Sequence, residues 1–504
     1  MAHFSKRTLL ILLVLISAGL AALRFDALQI GTSYDDAHYV ILAESLSSGQ
    51  GYQLINFPRP QVEHNFPPGW PLILAPLTRL FPKNYEVLKL VSLALWLASI
   101  PLIYKLFYMR LSSPMLEILV SLIALHPLLI GTSVTLMSES AYLFFSLLAL
   151  VIFDKTDGKR IGLLVAAALL AFYTQQIRTI GIALSASLLM YLLFSRRLRD
   201  LGIVTVILLS GILLQAWINL RNGGTVFSSG YEAQVLDGSL MEKISQVGLN
   251  ASGYFNEVLS GSLIPIFGTR LDTVLERSGL TFIPIVLNVA ILLTIVLGFI
   301  LWKPQIEWMN LYVLIYTLGI LAFWNPKVGS VKARFFIPIL PFLYFYFLWG
   351  MRWVLQKIFK ARLAELAVIG ISALIALVLL TRNLQDWRFP VREQMTDLSI
   401  GTSWIAEHAQ PDAIVMVNEP VPAYVHVKRK TIGFPKNDQE VETYLENQGI
   451  DYIVIAPPLQ SPQDTELDNA VEKQILPTLF SEPEKYRVVF EDKDNNVTVF
   501  EYHP

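Results

Sequence analysis

The sequence contains no cysteine, so it can form no disulfide framework, no thiolate metal site and no cysteine nucleophile. Charge is scarce as well. Only 16% of the 504 residues are Asp, Glu, Lys or Arg, and 39 basic against 40 acidic side chains leave a formal net charge of -1. A chain this nearly neutral carries no whole-protein field for nucleic acid, so nucleic acid is not expected as a partner. The sequence also has no Walker loop, no glycine fingerprint opening a helix after a soluble strand and no helical zinc-protease motif. Tandem repeats, low-complexity tracts and long charge blocks are missing too.

Apolar surface, by contrast, is abundant. Hydrophobic residues make up 54% of the sequence and the mean hydropathy is +0.51, more than a soluble domain can bury, so lipid has to cover much of it. Roughly eleven apolar runs approach the ~20 residues that cross a bilayer as helix. They lie near 8–23, 87–108, 115–131, 136–153, 161–175, 179–194, 201–219, 279–302, 309–324, 335–350 and 363–381, with the third to sixth packed tightly enough for one to be a half-crossing. The first run comes after Lys6 and Arg7 and reads either as a span or as a cleaved signal peptide, and both readings export the loop that begins near residue 24. Alternation from a cytoplasmic N-terminus puts Lys155, Lys159, Arg160, Arg196, Arg197, Arg199, Lys303, Arg352, Lys357, Lys360 and Arg362 inside, as the positive-inside rule requires.

This topology predicts an all-α polytopic membrane bundle over 1–381 and a small extracytoplasmic α/β domain over 382–504. The tail has strand-like runs at Ala413–Val417, Tyr452–Ala456 and around Val488 and Val497, with a helix-like stretch from Asp438 to Asn447. Two long loops, 24–86 and 220–278, also face outward. The protein is therefore expected to be integral to the membrane, the inner membrane if bacterial, with its chemistry on the extracytoplasmic side.

The first long loop reads Tyr34-Asp35-Asp36-Ala37-His38-Tyr39, then Gly49-Gln50-Gly51-Tyr52, then His64-Asn65-Phe66-Pro67-Pro68-Gly69-Trp70-Pro71. A short helix over 36–47 would place Asp35 at its N-cap, its carboxylate fixed by backbone donors, with Asp36, Tyr39 and Glu44 projecting from neighbouring turns. Spacing alone leaves two readings open, a capped helix start with a solvated acid or a reactive pair. Further candidates are Glu139 after Ser138 at the start of the fourth run, Arg178 before the sixth and Arg334 before the tenth. An acid at the start of a span is costly unless it faces a polar pocket or an ion-pair partner, and interfacial arginines are also routine snorkelling anchors. His38 and His64, with Asp35, Asp36 or Glu63, could hold a divalent cation, although their spacing is no recognised metal box. Tyr231, Glu232 and Asp237 in the second long loop are candidates for a lid over the acceptor. Asn250 and Asn496 fit the glycosylation sequon.

Taken in order, these motifs resemble the GT-C-fold glycosyltransferases, specifically the superfamily of protein O-mannosyltransferases and lipid A aminoarabinose transferases. The matching features are the acidic pair followed by Tyr39, the Gly49–Tyr52 turn, Pro67–Pro71, Ser138-Glu139, Arg178-Thr-Ile-Gly181, and Arg334 with its aromatics and Pro338-x-x-Pro341. The resemblance covers nearly the whole chain. It implies a sugar donor linked to a polyprenyl phosphate, an extracytoplasmic acceptor (protein, lipid or cell-envelope glycan) and inversion at the anomeric carbon. It also implies a catalytic acid matching Asp35, with Asp36 beside it. Some members use a metal and others do not.

The residue types suit that chemistry. A carboxylate, Asp35 or Asp36, can accept the proton of the attacking hydroxyl. Arg178 and Arg334 can meet the lipid phosphate as it gains charge, with a guanidinium fork that fits phosphate better than an ammonium does. Tyr39, Tyr52, His64 and Glu139 are the remaining candidates to line the substrate pocket. The energy for transfer then comes from a donor already activated in the membrane. A transporter or flippase of lipid-linked sugars is the competing expectation; it predicts charges at mid-membrane and internal repeats, whereas the charges here cluster at one face.

Overall fold

Each of the apolar runs folds as helix in the computed structural model, which describes residues 6–26, 29–82, 84–156, 160–221, 239–265, 278, 282–302, 307–324, 331–389, 396–435, 441–456 and 475–503. Helix is the form that satisfies every backbone group without water, so lipid-facing runs have little alternative. Among the described residues, five helices are long and apolar enough to cross a bilayer on their own: Lys6–Leu23, Glu86–Phe107, Leu198–Arg221, Phe282–Leu301 and Ala361–Arg388. A sixth span results if Met115–Ala124 and Pro127–Ser133, bent by 47° at their junction, are taken together. Pro127 lacks the N–H that would continue the first segment, which accounts for the break.

The expected set of eleven full crossings is not reached by length. Glu139–Phe153, Ile161–Ile177, Thr179–Phe194 and Trp308–Phe323 have 17 residues or fewer, and at 1.5 Å per residue they rise only about 25 Å or less. Leu340–Ile358 is long enough but aromatic, and Leu340 to Leu348 is buried throughout. Glu139–Phe153 is buried over most of its residues, whereas Ile161–Ile177, Thr179–Phe194 and Trp308–Phe323 also expose apolar side chains such as Leu169, Leu193 and Leu318, and Leu198–Arg221 and Phe282–Leu301 keep most of their apolar surface outward, as lipid-facing helices do.

The chain divides into two compact units. The first comprises residues 1–25, 64–70 and 89–390 and holds the helical membrane bundle. Its broken span is closed by polar side chains: Arg24 Nη1 donates to Pro127 O at 3.0 Å and to Asn383 Oδ1 at 3.1 Å, Asn383 Nδ2 donates to Leu125 O at 2.8 Å, and Arg24 pairs with Asp386 at 3.2 Å. Carbonyls on both sides of the bend thus have side-chain donors, as buried backbone groups require partners. Asn250, one of the two sequon asparagines, is likewise committed. It is 1% exposed and donates to Leu321 O and Trp324 O, each at 2.8 Å.

The second unit comprises residues 26–63, 71–88 and 391–504, so segments of the first loop share a body with the C-terminal region. A two-stranded ribbon, β1 (Gln53–Leu54) with β2 (Gln61–Val62), lies beside a five-stranded sheet of β3 (Ile414–Val417), β4 (Lys430–Ile432), β5 (Tyr452–Ile455), β6 (Tyr486–Asp492) and β7 (Val497–Tyr502). The sheet order is β4-β3-β5-β7-β6, with β3, β4 and β5 parallel and β6 and β7 added antiparallel. Helices cover both faces, and the parallel strands are apolar on both sides for that reason. Leu398, Ile405 and Ala423 pack on Val415, Val417, Val454 and Val499, while Val441, Leu445 and Leu479 pack on Met416, Ile453 and Phe500. The expected strands are present. The short β4 strand and the helices Thr396–His408, Pro420–Val427 and Leu476–Ser481 are additions that the hydrophobic pattern did not mark.

Candidate functional site

The paired aspartates open the helix Asp35–Ser47 in the second unit. The expected N-cap position falls one residue earlier than Asp35. Tyr34 occupies the N-cap with φ 59°, so Asp35 is already helical, and Asp36 is held by backbone donors. Gly31 N donates to Asp36 Oδ2 at 3.0 Å and Ala37 N to Oδ1 at 2.8 Å. The left-handed residue at 34 turns the 29–34 segment back over the second helical position, which points its amides at Asp36. Asp36 is 3% exposed, whereas Asp35 keeps access to solvent.

Burial pushes the Asp36 carboxyl up to about 6, against the opposing pull of the Gly31, Ala37 and Ser33 amides. Its folded value thus lies above the ordinary value of about 3.9. The stability that goes with the protonated form is complete below about 4 and is lost as pH rises through about 6, a change on the order of 3 kcal/mol. Asp36→Asn does not titrate. Its thermal stability relative to wild type is therefore expected to improve from pH 4 to pH 7, read by near-ultraviolet circular dichroism of the intact protein. A difference that stays flat across that range would contradict the buried, ionised state of Asp36.

Around the pair, Tyr39 is buried at 4% exposure and His38 is half-covered by the Tyr34 ring, with centroids 4.8 Å apart and His38 Nδ1 3.2 Å from Tyr34 O. Burial lowers the His38 pKa, so the neutral ring is favoured. Gly49 and Gly51, at φ +75° and +86°, reverse the chain after the helix and start β1. An L side chain is strained at such angles, which explains the Gly-x-Gly spacing. The turn leads into Tyr52, whose carbonyl accepts from Glu63 N at 3.2 Å across the ribbon. Glu44, expected to project from the same helix, is bonded at both oxygens. Its two oxygens accept from Tyr85 and, at 3.2 Å, from Tyr424 of the Pro420–Val427 helix. This acid fastens the first-loop helix to the α/β domain instead of serving a pocket. Asn56 Nδ2 donates to Thr431 Oγ1 at 3.3 Å and Thr431 N to Asn56 O at 2.7 Å, which seals the same junction.

The other candidates lie in the first unit, and three of them come together. Glu139 is the first residue of Glu139–Phe153 and is 1% exposed. Arg178 Nη1 is 2.7 Å from Glu139 Oε1, and Arg334 Nε is 3.7 Å from the same oxygen. Arg178 Nη1 also donates to Ser138 Oγ at 3.1 Å. Both guanidinium carbons sit 5.6 Å from the Phe335 ring centroid, and Tyr316 OH fixes that turn by donating to Phe335 O at 2.9 Å. Glu139 thus pairs with arginines, as the low local dielectric demands.

Two glycines make this possible. Arg178 sits between Ile161–Ile177 and the tight turn Thr179–Gly181, and a Cβ on Gly181 would run into the backbone of Thr174 and Gln175. A Cβ on Gly69 would lie 2.5 Å from Gln176 O, on the same helix end. Next to it, Trp70 Nε1 donates to Leu136 O at 2.9 Å, close before Glu139 in the chain, and Tyr173 OH donates to Gly69 O at 2.9 Å. The Pro-Pro-Gly-Trp and Arg-Thr-Ile-Gly motifs are therefore parts of one packed support. Gly181→Ala is expected to cost about 1–3 kcal/mol by overpacking, seen as a lower melting temperature. Unchanged melting would contradict this support.

His64 lies half-buried in the first unit and His38 in the second. Among the described residues no group of three or more His, Asp or Glu side chains is arranged to hold a metal ion, so the divalent-cation expectation finds no fitting donor set there. Tyr231, Glu232 and Asp237 fall outside the described residues.

The structure is similar to that of the Archaeoglobus fulgidus oligosaccharyltransferase in the apo form, with a TM-score of 0.57 and 14% identity over 90% of this chain and 70% of that one. It is also similar to ArnT from Cupriavidus metallidurans, in the apo state with a TM-score of 0.55 and 12% identity over 97% of each chain. The ArnT structure bound to undecaprenyl phosphate gives a TM-score of 0.50 and 13% identity over 98% of each chain. No family model and no curated protein matches the sequence. At these identities the likeness is one of fold, and the chain has the GT-C fold, a helical membrane bundle with a small C-terminal sheet domain.

Proposed function

From the GT-C fold as premise, we propose that this integral membrane protein transfers a single sugar from a polyprenyl-phosphate carrier to an acceptor hydroxyl on the extracytoplasmic side, inverting the anomeric carbon. The observation that carries this reading is the convergence of Arg178 and Arg334 on one buried carboxylate. Fixed guanidinium groups at the ends of membrane helices suit a lipid-borne phosphate, and charge held there without a task is expensive. The fold likeness to ArnT, whose structure holds undecaprenyl phosphate, agrees with such a ligand.

In the proposed reaction Asp35 accepts the proton of the acceptor hydroxyl, and the oxygen attacks the anomeric carbon from the face opposite the phosphate. The bond from that carbon to the phosphate oxygen breaks with its electron pair, and a polyprenyl phosphomonoester leaves carrying one more negative charge. Arg178 and Arg334 contact that oxygen set more strongly as the charge grows, which is how a fixed cation accelerates departure. Asp36 holds the 29–36 segment, so that Asp35 has one orientation. Tyr39, Tyr52 and His64 are assigned to the walls of the sugar and acceptor sites.

The test is transfer of radiolabel from synthetic polyprenyl-phosphate sugars to candidate protein, lipid and glycan acceptors by the purified protein in nanodiscs. Label moving from lipid to acceptor, and lost in Asp35→Asn, is the expected result. Movement of intact lipid-linked sugar between leaflets without transfer would replace this reading with that of a flippase.

A further inference from the structure

Tyr254 lies beside the arginine pair with a hydroxyl that the fold itself does not use. It starts the one-turn π-helix Tyr254–Val258, which follows the helix Leu240–Gly253 in the second long loop. Single π turns are rare and recur at functional sites. The preceding helix is firmly held, with Gln246 Nε2 donating to Trp324 O at 2.6 Å and Asn250 Nδ2 to Leu321 O at 2.8 Å. The Tyr254 ring then stacks on Phe336, with centroids 5.0 Å apart and planes 10° apart. Phe336 belongs to the tight turn Ala333–Phe336 that also carries Arg334. Tyr254 is 4% exposed, and its hydroxyl oxygen is buried with no hydrogen-bond partner among the described residues. That hydroxyl lies within electrostatic reach of Arg178 and Tyr316.

A buried hydroxyl without a partner is a standing cost to the folded protein. Phenylalanine would stack on Phe336 without that cost, so the oxygen is explained by a ligand and not by packing. Burial raises the Tyr254 pKa against the pull of the neighbouring Arg178, which keeps the phenol protonated and a donor. Its ligand therefore accepts a hydrogen bond, and next to two guanidinium groups it is an anion. This inference rests on the proposed reading of Arg178 and Arg334 as a lipid-phosphate site. We propose that the Tyr254 hydroxyl is a third ligand of that phosphate, donating to an oxygen that the guanidinium groups leave open. A neutral donor placed there gives a bond that strengthens as the departing phosphate gains charge. The same atom that destabilises the protein alone thus serves the bound donor, a trade of stability for activity.

Tyr254→Phe removes the hydroxyl and keeps the ring. Binding of polyprenyl monophosphate, and of polyprenol, which lacks the phosphate, is measured for the intact protein in nanodiscs, with melting curves taken in the absence of either lipid. The variant is expected to melt at or above the wild-type temperature, by up to about 2 °C, because the stranded hydroxyl is gone. It is expected to bind the monophosphate about tenfold more weakly and polyprenol as wild type does. A hydroxyl with a purely structural role would lower melting and leave the difference between the two lipids untouched. A lower melting temperature, failure to fold, unchanged monophosphate affinity or an equal loss for both lipids would each overturn the assignment. Arg178→Gln and Arg334→Gln separate it from its premise. If they weaken monophosphate binding and Tyr254→Phe does not, the arginines keep the phosphate and Tyr254 alone loses its role. If the wild type does not bind the monophosphate, or neither arginine variant weakens that binding, the phosphate reading itself fails.

Discussion

Asparagine at position 35 is expected to lower kcat for sugar transfer by about 10²–10⁴-fold, the range for loss of a general base, while donor binding and thermal unfolding stay near wild type. Asn has the shape of Asp but no basic oxygen. Asp35 is the more exposed of the pair, and the amides of Gly31 and Ala37 are held by its neighbour. Loss of a negative charge from the first helical turn costs only about 0.3–1 kcal/mol. Asp36→Asn is expected to differ in kind. One of its two acceptor oxygens becomes an NH₂ facing an N–H donor, so activity falls with a loosened 29–36 segment. Rapid-quench single turnovers together with melting curves tell the two apart. Normal transfer by Asp35→Asn with a silent but well-folded Asp36→Asn would move the base to Asp36, and normal transfer by both would remove it from the pair.

Arg178→Gln is expected to lose both stability and turnover. It strips Glu139 of its 2.7 Å partner and leaves a 1% exposed carboxylate with, among the described residues, Arg334 at 3.7 Å. Breaking a buried pair in this way costs about 3–5 kcal/mol. It also removes one cation from the departing phosphate, worth about 10²–10³ in kcat by analogy with loss of one oxyanion donor. Arg334→Gln should be milder on stability, since that arginine is farther from Glu139 and more exposed. The double variant Arg178→Gln with Glu139→Gln separates the contributions. Melting is expected to recover, because no buried charge is stranded, while kcat stays low. Recovery of full activity in the double variant would mean that Arg178 does nothing but offset Glu139.

Much of the architecture is legible in the amino-acid sequence, and the legible part is the part governed by short stretches of chain. Whether about 20 residues can cross a membrane depends on their own apolarity, and every apolar run is helix in the structure. The strands at Ile414–Val417 and Tyr452–Ile455 are marked in the same way, as apolar β-branched runs. The span count is not legible, because where each apolar run starts and stops being helix, as in the four helices of 17 residues or fewer and the pair bent at Pro127, is not set by apolarity within a window. Nor can spacing tell how the backbone holds Asp36. That depends on a single left-handed residue, Tyr34, which turns the preceding segment over Asp36.

An integral membrane helical bundle, a small α/β tail and a short set of charged candidates thus come from the sequence alone. The use made of those candidates comes from tertiary packing. Glu44 meets Tyr424 and Asn56 meets Thr431 across 380 and 375 positions, and Glu139 gathers Arg178 and Arg334 from helices far apart in the chain. An acid's partners are set by long-range packing, and whether it is buried, paired or open to solvent fixes its charge and strength. Apolarity can be summed along a window, whereas electrostatic environment exists only once distant segments meet.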